Sequence, residues 1–368
     1  MSHPDAVVAG AGPAGAVAAL VLARAGHRVQ LLDDGGPNRG RPAVKIGEFL
    51  PPAVRPLLAD LGLLDGFLAA GHPVSTGTYA AWGSPRLHGR SHLFDPYGHG
   101  WHLDRLRFDA FLRDAAVAAG AELRQARVLE RLAHGPVVVR ERGRTTRLPA
   151  RWVVDATGRR CVIGRRGGHR RRQDRLVAAY VVLPERGLEA RTLVEAAANG
   201  WWYTTRIPAG RLVAHLTDTD LVDPALRTPR GFREALGRTV HVRRRVAGHE
   251  TDPTPVPRWA PAHGLRLEPC AGPGWVAAGD AALAFDPLSS QGILTALHTG
   301  ARAGRAVAGC LADEALAGAA LADYAAFLDG IAAAYRHNHA HAYGQERRWP
   351  LSPFWRRRGQ ELRHDARW

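Results

Sequence analysis

The chain has 368 residues, 46% of them hydrophobic, and a formal net charge of +16, so it can form a sizeable core and two domains around one ligand. A charge of this size ordinarily indicates a nucleic acid or an acidic surface as partner. Here only Lys45 among 50 basic residues is a lysine, and aromatic residues do not alternate with the basic runs as a base-stacking surface requires, so we expect no nucleic-acid partner.

The first predicted unit is a strand, a glycine turn and a helix over residues 6–25. Gly10 permits the tight turn, Gly12 lets a pyrophosphate approach the backbone, and Gly15 lets the helix pack on the strand. The free N–H groups at the start of the helix can bind phosphates. Asp33 ends the next predicted strand about 20 residues after the glycines, where a carboxylate can bind a ribose hydroxyl. These features together predict a dinucleotide-binding βαβ unit.

The chain after the second strand is a glycine- and proline-rich loop, and a Pro-Pro pair at 51–52 then starts a short predicted helix. Glu48 lies just before this pair, either as a surface or helix-capping acid or as a carboxylate held toward a cavity. Residues 74–101 predict extended or irregular chain, dense in aromatic residues, glycine and histidine. This composition favours a binding surface over a planar ring; the alternative is a pair of strands whose rings only pack. A long helix is predicted over residues 103–119.

Short strands are predicted between residues 121 and 156, and the last of them leads into the run Asp155-Ala-Thr-Gly158. A glycine turn at the carboxyl edge of a sheet is where doubly wound folds bind their ligands. Residues 160–172 are strongly basic and predict a solvated loop or, alternatively, a patch for an acidic partner. Residues 176–258 have the pattern of antiparallel strands and form the predicted substrate domain.

The chain near residue 274 returns to the nucleotide domain. A buried strand pattern over 274–278 precedes Gly279 and Asp280, and a loop then leads to Gly292 and a helix that ends near Ala312. Strand, loop, glycine and helix start again form an anion-accepting arrangement. The tail from residue 324 is predicted to be helical and then aromatic and basic.

The cellular compartment is indicated by the cysteines and by one apolar stretch. The three cysteines have no CxxC spacing, which predicts reduced thiols in a cytoplasmic protein, and we expect no metal site. The uncharged stretch 6–23 lacks a preceding basic segment and carries glycine and proline where a dinucleotide turn needs them. We therefore expect no membrane association, and we expect a monomer.

The three glycine motifs, in this order, resemble the FAD-binding set of group A flavin monooxygenases and flavin-dependent halogenases, over nearly the whole chain. Further runs are similar to a subgroup that includes maturation flavoproteins that hydroxylate tryptophan within a peptide. These runs are KIGEFLPP at 45–52, AWGS at 81–84, DPYGHGWHLDR at 95–105, GWWY at 200–203, FDPLSSQG at 285–292 and RWPLSPFW at 348–355.

The resemblance implies an α/β fold: an FAD-binding Rossmann-like domain of the GR2 or p-hydroxybenzoate hydroxylase type, an inserted antiparallel-sheet substrate domain, and a helical C-terminal tail. The expected FAD-binding segments are 1–75, 101–170 and 266–330, the substrate segments are 76–100 and 171–265, and the tail is 331–368.

The same resemblance assigns cofactor-binding positions. The pyrophosphate would contact Gly10, Gly12, Pro13, Ala14 and Gly15. Asp33 would bind the adenosine ribose, Val128 would lie near adenine, Arg105 near the phosphates or flavin, and Asp280 on the ribitol. The motif residues Asp155, Gly158 and Gly279 complete the set, and the isoalloxazine ring would be bordered by Pro287, Gly292 and Ile293.

The chemistry that the resemblance implies is hydroxylation of an indole by a C4a-hydroperoxyflavin formed from O2, with NAD(P)H or a partner flavin reductase as the source of electrons. The substrate would be a small aromatic molecule or a peptide. Proton transfer is assigned to Glu48 and His102, with Lys45 as the next candidate. The expected substrate pocket is aromatic and consists of Trp82, Trp101, Trp201, Trp202 and Tyr203.

Two other functions stay open. A halogenase would pass hypohalous acid to a lysine, and Lys45 is available for that role. The usual halogenase run Gly-Trp-x-Trp-x-Ile-Pro is not met, because Tyr203 is the fourth residue from Gly200 and Ile207 with its proline comes two places late. The second alternative is a reductase-type or non-enzymatic flavoprotein. If the substrate is a peptide, a wide cleft should open beside the flavin, with some of Arg165, Arg166, Arg170 and Arg171 near its mouth.

Overall fold

The computed structural model describes residues 3–35, 48–92, 94–132, 135–187, 189–249 and 254–365. Its helices are α1 (Pro13–Arg24), α2 (Val54–Asp60), α3 (Leu64–Ala69), α4 (Arg105–Ala118), α5 (Gly164–Gly167), α6 (Pro229–Gly237), α7 (His241–Val246), α8 (Gly292–Ala312), α9 (Ala317–Gly344) and α10 (Pro353–Asp365).

The strands run through both halves of the molecule. In chain order they are β1 (Ala6–Ala9), β2 (Val29–Asp33), β3 (Phe49–Leu50), β4 (Val74–Ser75), β5 (Gly77–Ala81), β6 (His88–Ser91), β7 (Gly100–His102), β8 (Glu122–Gln125), β9 (Arg127–Arg131), β10 (Val137–Glu141), β11 (Arg144–Leu148), β12 (Trp152–Asp155), β13 (His169–Arg172), β14 (Leu176–Leu183), β15 (Thr192–Ala197), β16 (Gly200–Ile207), β17 (Gly210–Asp218), β18 (Arg258–Pro261), β19 (Leu265–Glu268), β20 (Ala271–Gly272), β21 (Trp275–Ala277) and β22 (Leu283–Ala284).

A mainly parallel sheet forms the predicted nucleotide domain, with strand order β20-β21-β12-β1-β2-β8. All four residues of β1 are buried, as expected for a parallel strand covered on both faces. Ala9 pairs with Leu32 of β2 and with Asp155 of β12, so the carboxyl ends of these three strands meet at one edge. The glycine turn and both predicted acids follow from that edge, which confirms the α/β fold inferred from the motifs.

Helices α1 and α8 pack closely on each other across this edge. A Cβ atom at Gly300 would lie 2.3 Å from the carbonyl oxygen of Ala14, and one at Gly304 would lie 2.9 Å from that of Ala18. Only glycine allows this approach, because real Cβ atoms do not come so near to backbone oxygens. The close packing brings the starts of the two helices, residues 13 and 292, to the same side of the domain.

A second sheet, with order β18-β14-β17-β16-β15-β5-β6, contains the segments in which antiparallel strands are predicted, together with β5 and β6. All of its pairs are antiparallel except β5 with β15. Its outer face packs on α6 and α7 through Phe232 and Val242. Its inner face packs on the ends of α9 and α10 through Tyr343 and Phe354. Successive residues of each strand therefore belong to different clusters.

The C-terminal region is helical, as predicted, although α9 begins before residue 331, where the tail was expected to start. The segment Glu314–Gly344 is long and apolar enough to cross a membrane by length and composition alone. Part of it packs in the nucleotide-domain core, where Tyr324 and Leu328 are buried. The Tyr324 hydroxyl donates to the Ala277 carbonyl at 2.6 Å, so this part of α9 is anchored to β21.

Two buried histidines make the stability depend on pH. Burial lowers the pKa of His102 and of His215 from 6.5 to about 4. Between these values the unfolded chain binds more protons than the folded one, so the unfolding free energy falls as the pH falls from about 6.5 to 4. At about pH 5 each histidine should cost about 2 kcal/mol.

Urea unfolding at about pH 7 and about pH 5 checks this dependence. His215 packs against Trp202, with ring centroids 4.7 Å apart, so His215→Phe should fold. We expect that variant to lose the share of the pH dependence that His215 contributes. A variant with the same loss between the two pH values as the parent would contradict the assignment.

Candidate cofactor and substrate site

The three glycines of the turn after β1 have two different roles. Gly10 and Gly15 are required by close backbone packing, whereas Gly12 borders open space. Gly10 has φ +101°, and a Cβ there would lie 2.4 Å from the Ala156 oxygen; a Cβ at Gly15 would lie 1.8 Å from the Gly10 oxygen. A Cβ at Gly12 would meet nothing within 4 Å. Gly12 caps α1, whose first residue is Pro13, and makes no side-chain cap, so N–H groups of the first turn remain available to an anion. This geometry fits a pyrophosphate.

The end of β2 presents the predicted ribose-binding acid. The Asp33 carboxylate accepts a hydrogen bond from the Gly35 N–H at 3.1 Å and lies 3.8 Å from the Arg113 guanidinium. About a third of this side chain (32%) stays exposed, so a ligand can still reach it. Val128, the residue expected near adenine, is buried in β9, three residues after the partner of Asp33 in β8.

Asp155 has a different position from the one expected of a cofactor ligand. Its carboxylate is fully buried, and four donors of the following loop bind it: the N–H and hydroxyl of Thr157 and the N–H groups of Ile163 and Gly164. With both oxygens occupied in this way, Asp155 shapes the loop rather than reaching a ligand. Gly158 in the same loop has φ +64° and open space where a Cβ would be.

Asp280 lies close to two arginines, Arg159 and Arg105. Its side chain is 40% accessible to solvent, yet the surrounding protein raises its pKa, and Arg159 and Arg105 act in the opposite direction. Partial exposure and a pKa raised by burial are both expected for a carboxylate that water reaches from one side only. The Arg159 guanidinium lies 3.5 Å from the Asp280 carboxylate. Arg105 also pairs with the buried Asp109 at 3.1 Å, which fixes its direction at the start of α4.

The loop 285–293 leads into α8, the longer of the two helices that begin at this side of the domain. Gly279, which precedes β22 and this loop, has φ +59° and would place a Cβ 2.8 Å from the Ala14 side chain. A Cβ at Gly292, in contrast, would meet nothing within 4 Å, and α8 has no side-chain cap. The N–H groups of Gly292 and Ile293 therefore begin an uncapped helix beside open space, next to the turn that starts at Pro287. This fits the polar edge of a flavin ring.

A buried network that the sequence analysis missed holds this loop. Asp286 is fully buried, and its carboxylate accepts from the Tyr343 hydroxyl at 2.7 Å and the Leu288 N–H at 2.8 Å and lies 3.3 Å from the His339 ring nitrogen. Burial opposes the charge, but His339 and these hydrogen bonds lower the Asp286 pKa overall. The Tyr343 hydroxyl also accepts from Trp201 at 3.0 Å. The loop is thus tied to α9 and, through α9, to the second sheet.

The Tyr343→Phe variant tests this network. It leaves the Trp201 N–H and the Asp286 carboxylate each without one partner, so the unfolding free energy should fall by about 1–3 kcal/mol. Tyr324→Phe, which removes another buried hydroxyl that donates to a carbonyl on β21, is the matched control for stability. Only Tyr343→Phe should also shift the absorbance spectrum of bound flavin. An identical flavin spectrum in both variants would show that the network does not affect the cofactor site.

The residues predicted to move protons lie on the inner face of the second sheet. Glu48 and His102 are both buried, and they are neighbours because β3 pairs with β7. The His102 ring lies 3.3 Å from the Thr205 hydroxyl. Burial and the charge of Glu48 raise the pKa of Tyr203. Tyr203 and Thr205 lie on the same face of β16, so His102 and Glu48 are both close to that face. Lys45 lies outside the described residues.

The five aromatic residues expected in one pocket occupy three places. Trp82, Trp201 and Tyr203 share the inner face, which we call the aromatic wall, and Leu288 of the 285–293 loop packs in the same cluster. Trp202 points to the outer face, where its ring lies 5.3 Å from that of Phe232.

The fifth residue, Trp101, is buried in the nucleotide-domain core with its ring 5.0 Å from that of Phe67. Strand alternation and this core packing leave Trp82 and Tyr203 as the members of the set that are partly exposed. Within the part of the chain that the structure describes, no three His, Cys, Asp or Glu side chains form a metal site.

Comparison with known proteins identifies the family to which this chain belongs. The FAD binding domain family matches residues 4–327. A Marinomonas mediterranea protein described as an FAD-dependent oxidoreductase, LodB, is 30% identical over 97% of each chain. The myxobacterial chondrochloren halogenase CndH superposes with a TM-score of 0.82 at 25% identity and covers 100% of this chain and 89% of its own.

The peptidyl tryptophan dihydroxylase QhpG, at 24% identity, shares the fold with a TM-score of 0.79 over 97% of this chain and 79% of its own. The open spaces beside Gly12 and Gly292, together with the partly exposed Asp33 and Asp280, fit the FAD that this family binds. The chain belongs to the FAD-binding domain family, within the group A flavoprotein and halogenase-like superfamily, and is an FAD-dependent oxidoreductase.

Proposed function

We propose that this protein is an O2-dependent monooxygenase that uses FAD to hydroxylate the indole ring of a tryptophan residue in a peptide. One observation carries the proposal: His102, with the buried Glu48 next to it, is 3.3 Å from Thr205 on the β16 face that carries the aromatic wall, and that wall shares a packed cluster with Leu288 of the loop beside the candidate flavin site. A planar aromatic substrate could lie between wall and cofactor, with a base in reach.

The chain's own residues have separable tasks in this proposal. FAD, when bound, supplies the redox chemistry and the activation of O2. Glu48 accepts a proton as positive charge develops on the indole. His102, with a pKa of about 4, is uncharged and weakly basic at neutral pH, so it orients the site through Thr205 rather than acting as the main base. The aromatic wall excludes water.

The overall reaction balances with an external reductant. One oxygen atom of O2 enters the substrate C–H bond, the other becomes water, and NAD(P)H or a partner flavin reductase supplies two electrons. A peptide is favoured over free tryptophan because a peptide-modifying dihydroxylase shares the fold over 97% of the chain. Turnover of a tryptophan-containing peptide, compared with free tryptophan under the same reductant supply, tests this choice. Equal efficiency with free tryptophan would contradict it.

Halogenation is the second candidate, because a halogenase superposes over the full chain at 25% identity. The test is product mass in the presence and absence of chloride and bromide, with O2 and reductant supplied. The proposed hydroxylase adds oxygen whether or not halide is present. A product in which halogen replaces hydrogen would assign the enzyme to the halogenases instead.

A further inference from the structure

A cluster of basic side chains lies beside Asp280, one of the candidate cofactor-binding residues. Arg172 lies 3.2 Å from the ring nitrogen of His263, and the His263 carbonyl accepts from Arg159, the residue that also faces Asp280. Arg170, which lies on the same face of β13 as Arg172, donates to the Arg159 carbonyl at 2.6 Å. We call these four side chains the β13 basic surface. It begins beside Asp280 and extends to the exposed Arg172.

Arg159 pairs with Asp280, but the other two arginines of this surface, Arg170 and Arg172, have no acidic partner within the described residues. Burial is the main cause that lowers the His263 pKa to about 4, and the charges of Arg172, Arg159 and Arg170 act in the same direction. Among the other arginines expected at the cleft mouth, Arg166 pairs with Glu130, whereas Arg165 and Arg171 are exposed.

An apolar cavity of about 270 Å³ adjoins these cations. Arg172 and His263 line one side of it, and Val177, Trp259 and Pro261 supply apolar surface. Trp259 is 37% exposed, which is high for so large an apolar ring. It belongs to β18, the last strand of the second sheet, and no strand in the described parts of the chain pairs with the other edge of β18. An extended polypeptide can bind such an edge.

We infer that the β13 basic surface and the Trp259 cavity dock an acidic polypeptide, whose apolar side chain enters the cavity while its carboxylates face Arg172 and its neighbours. The inference deepens the proposed function, because it names an acidic polypeptide as the substrate-bearing partner. Contacts run from Arg172 through His263 and Arg159 to Asp280, so the proposed docking surface is connected to the candidate cofactor site. Unpaired charge gives such docking its rate and its salt dependence.

The test is a binding measurement on the FAD-loaded protein by fluorescence anisotropy. The probe is a fluorescein-labelled synthetic peptide with one tryptophan flanked by glutamates, and the same peptide with lysines is its control. Arg172→Glu should weaken binding about tenfold at low ionic strength, and added salt should weaken binding to the parent. Arg244→Glu makes the same charge change on α7, at the outer face of the sheet, and should have little effect.

Trp259→Ala should weaken binding several-fold without changing its salt dependence, because it removes apolar contact only. Equal weakening by Arg172→Glu and Arg244→Glu, or equal binding of the lysine peptide, would overturn the inference. Displacement of the peptide by a single-stranded RNA that itself needs Arg172 would reassign the surface to nucleic acid. The anisotropy measurement does not depend on turnover, so binding with these dependences supports the docking surface even if the separate turnover test rejects the hydroxylase.

Discussion

Replacing Gly12 by valine is expected to yield a folded protein without FAD. A Cβ at this position meets no protein atom within 4 Å, so the fold has room for the side chain. The same open space lies in front of the first turn of α1, where the pyrophosphate must approach the N–H groups. The branched side chain would fill that path, and we expect at least a hundredfold weaker FAD binding, about 3 kcal/mol or more.

Flavin absorbance of the purified variant, with thermal unfolding of the parent and variant apoproteins, measures both halves of this expectation. Gly330→Val is the matched control, since a Cβ there also meets nothing within 4 Å but the residue lies exposed on α9. The control should retain FAD. A Gly12→Val protein with full FAD content would show that the cofactor does not lie at this turn.

Glu48→Gln is expected to leave FAD bound and to lower product formation by about 10²–10⁴-fold. Glutamine keeps the size and most of the polarity of the buried side chain, so the change removes the proton acceptor and little else. Reduced flavin would still react with O2, so electrons should appear as released hydrogen peroxide. The ratio of peroxide to hydroxylated product, at equal FAD content, is the measurement.

The control for this variant is Glu314→Gln, which removes an exposed carboxylate in the turn just before α9. It should leave the ratio of peroxide to product unchanged. Coupled turnover at the parent rate in Glu48→Gln would remove Glu48 from proton transfer. Lys45 and the neighbouring segment would then be the next positions to test.

The βαβ unit could be predicted from the sequence because its determinants are local. Gly10, Gly12 and Gly15 and the acid that follows are set by turn geometry and by the period of two adjacent elements. The antiparallel strands of the second sheet could be predicted for the same reason. Pairing between distant segments, such as β5 with β15 in a parallel register, has no local signal.

The candidate site could not be predicted in full, because it depends on contacts between residues that are distant in the sequence. Asp286 meets Tyr343 from a helix 57 positions away, and only the polar pair His339 and Tyr343, one turn apart on an apolar helix, hinted at a buried role. The density of aromatic residues predicts a single pocket, but alternation along β16 places Trp201 and Trp202 on opposite faces. Asp155 stands in a cofactor motif but binds the backbone of its own loop.

Product analysis under isotopically heavy dioxygen tests whether this protein hydroxylates tryptophan in a peptide. The FAD-loaded protein, a reductant and a tryptophan-containing peptide are incubated with labelled O2 in ordinary water, and the modified residue is located by tandem mass spectrometry. We expect a heavy oxygen atom on the indole ring, in amounts that fall with Glu48→Gln at unchanged FAD content. A product that carries unlabelled oxygen or halogen, or consumption of O2 that yields peroxide alone with every tryptophan peptide tried, would contradict this expectation.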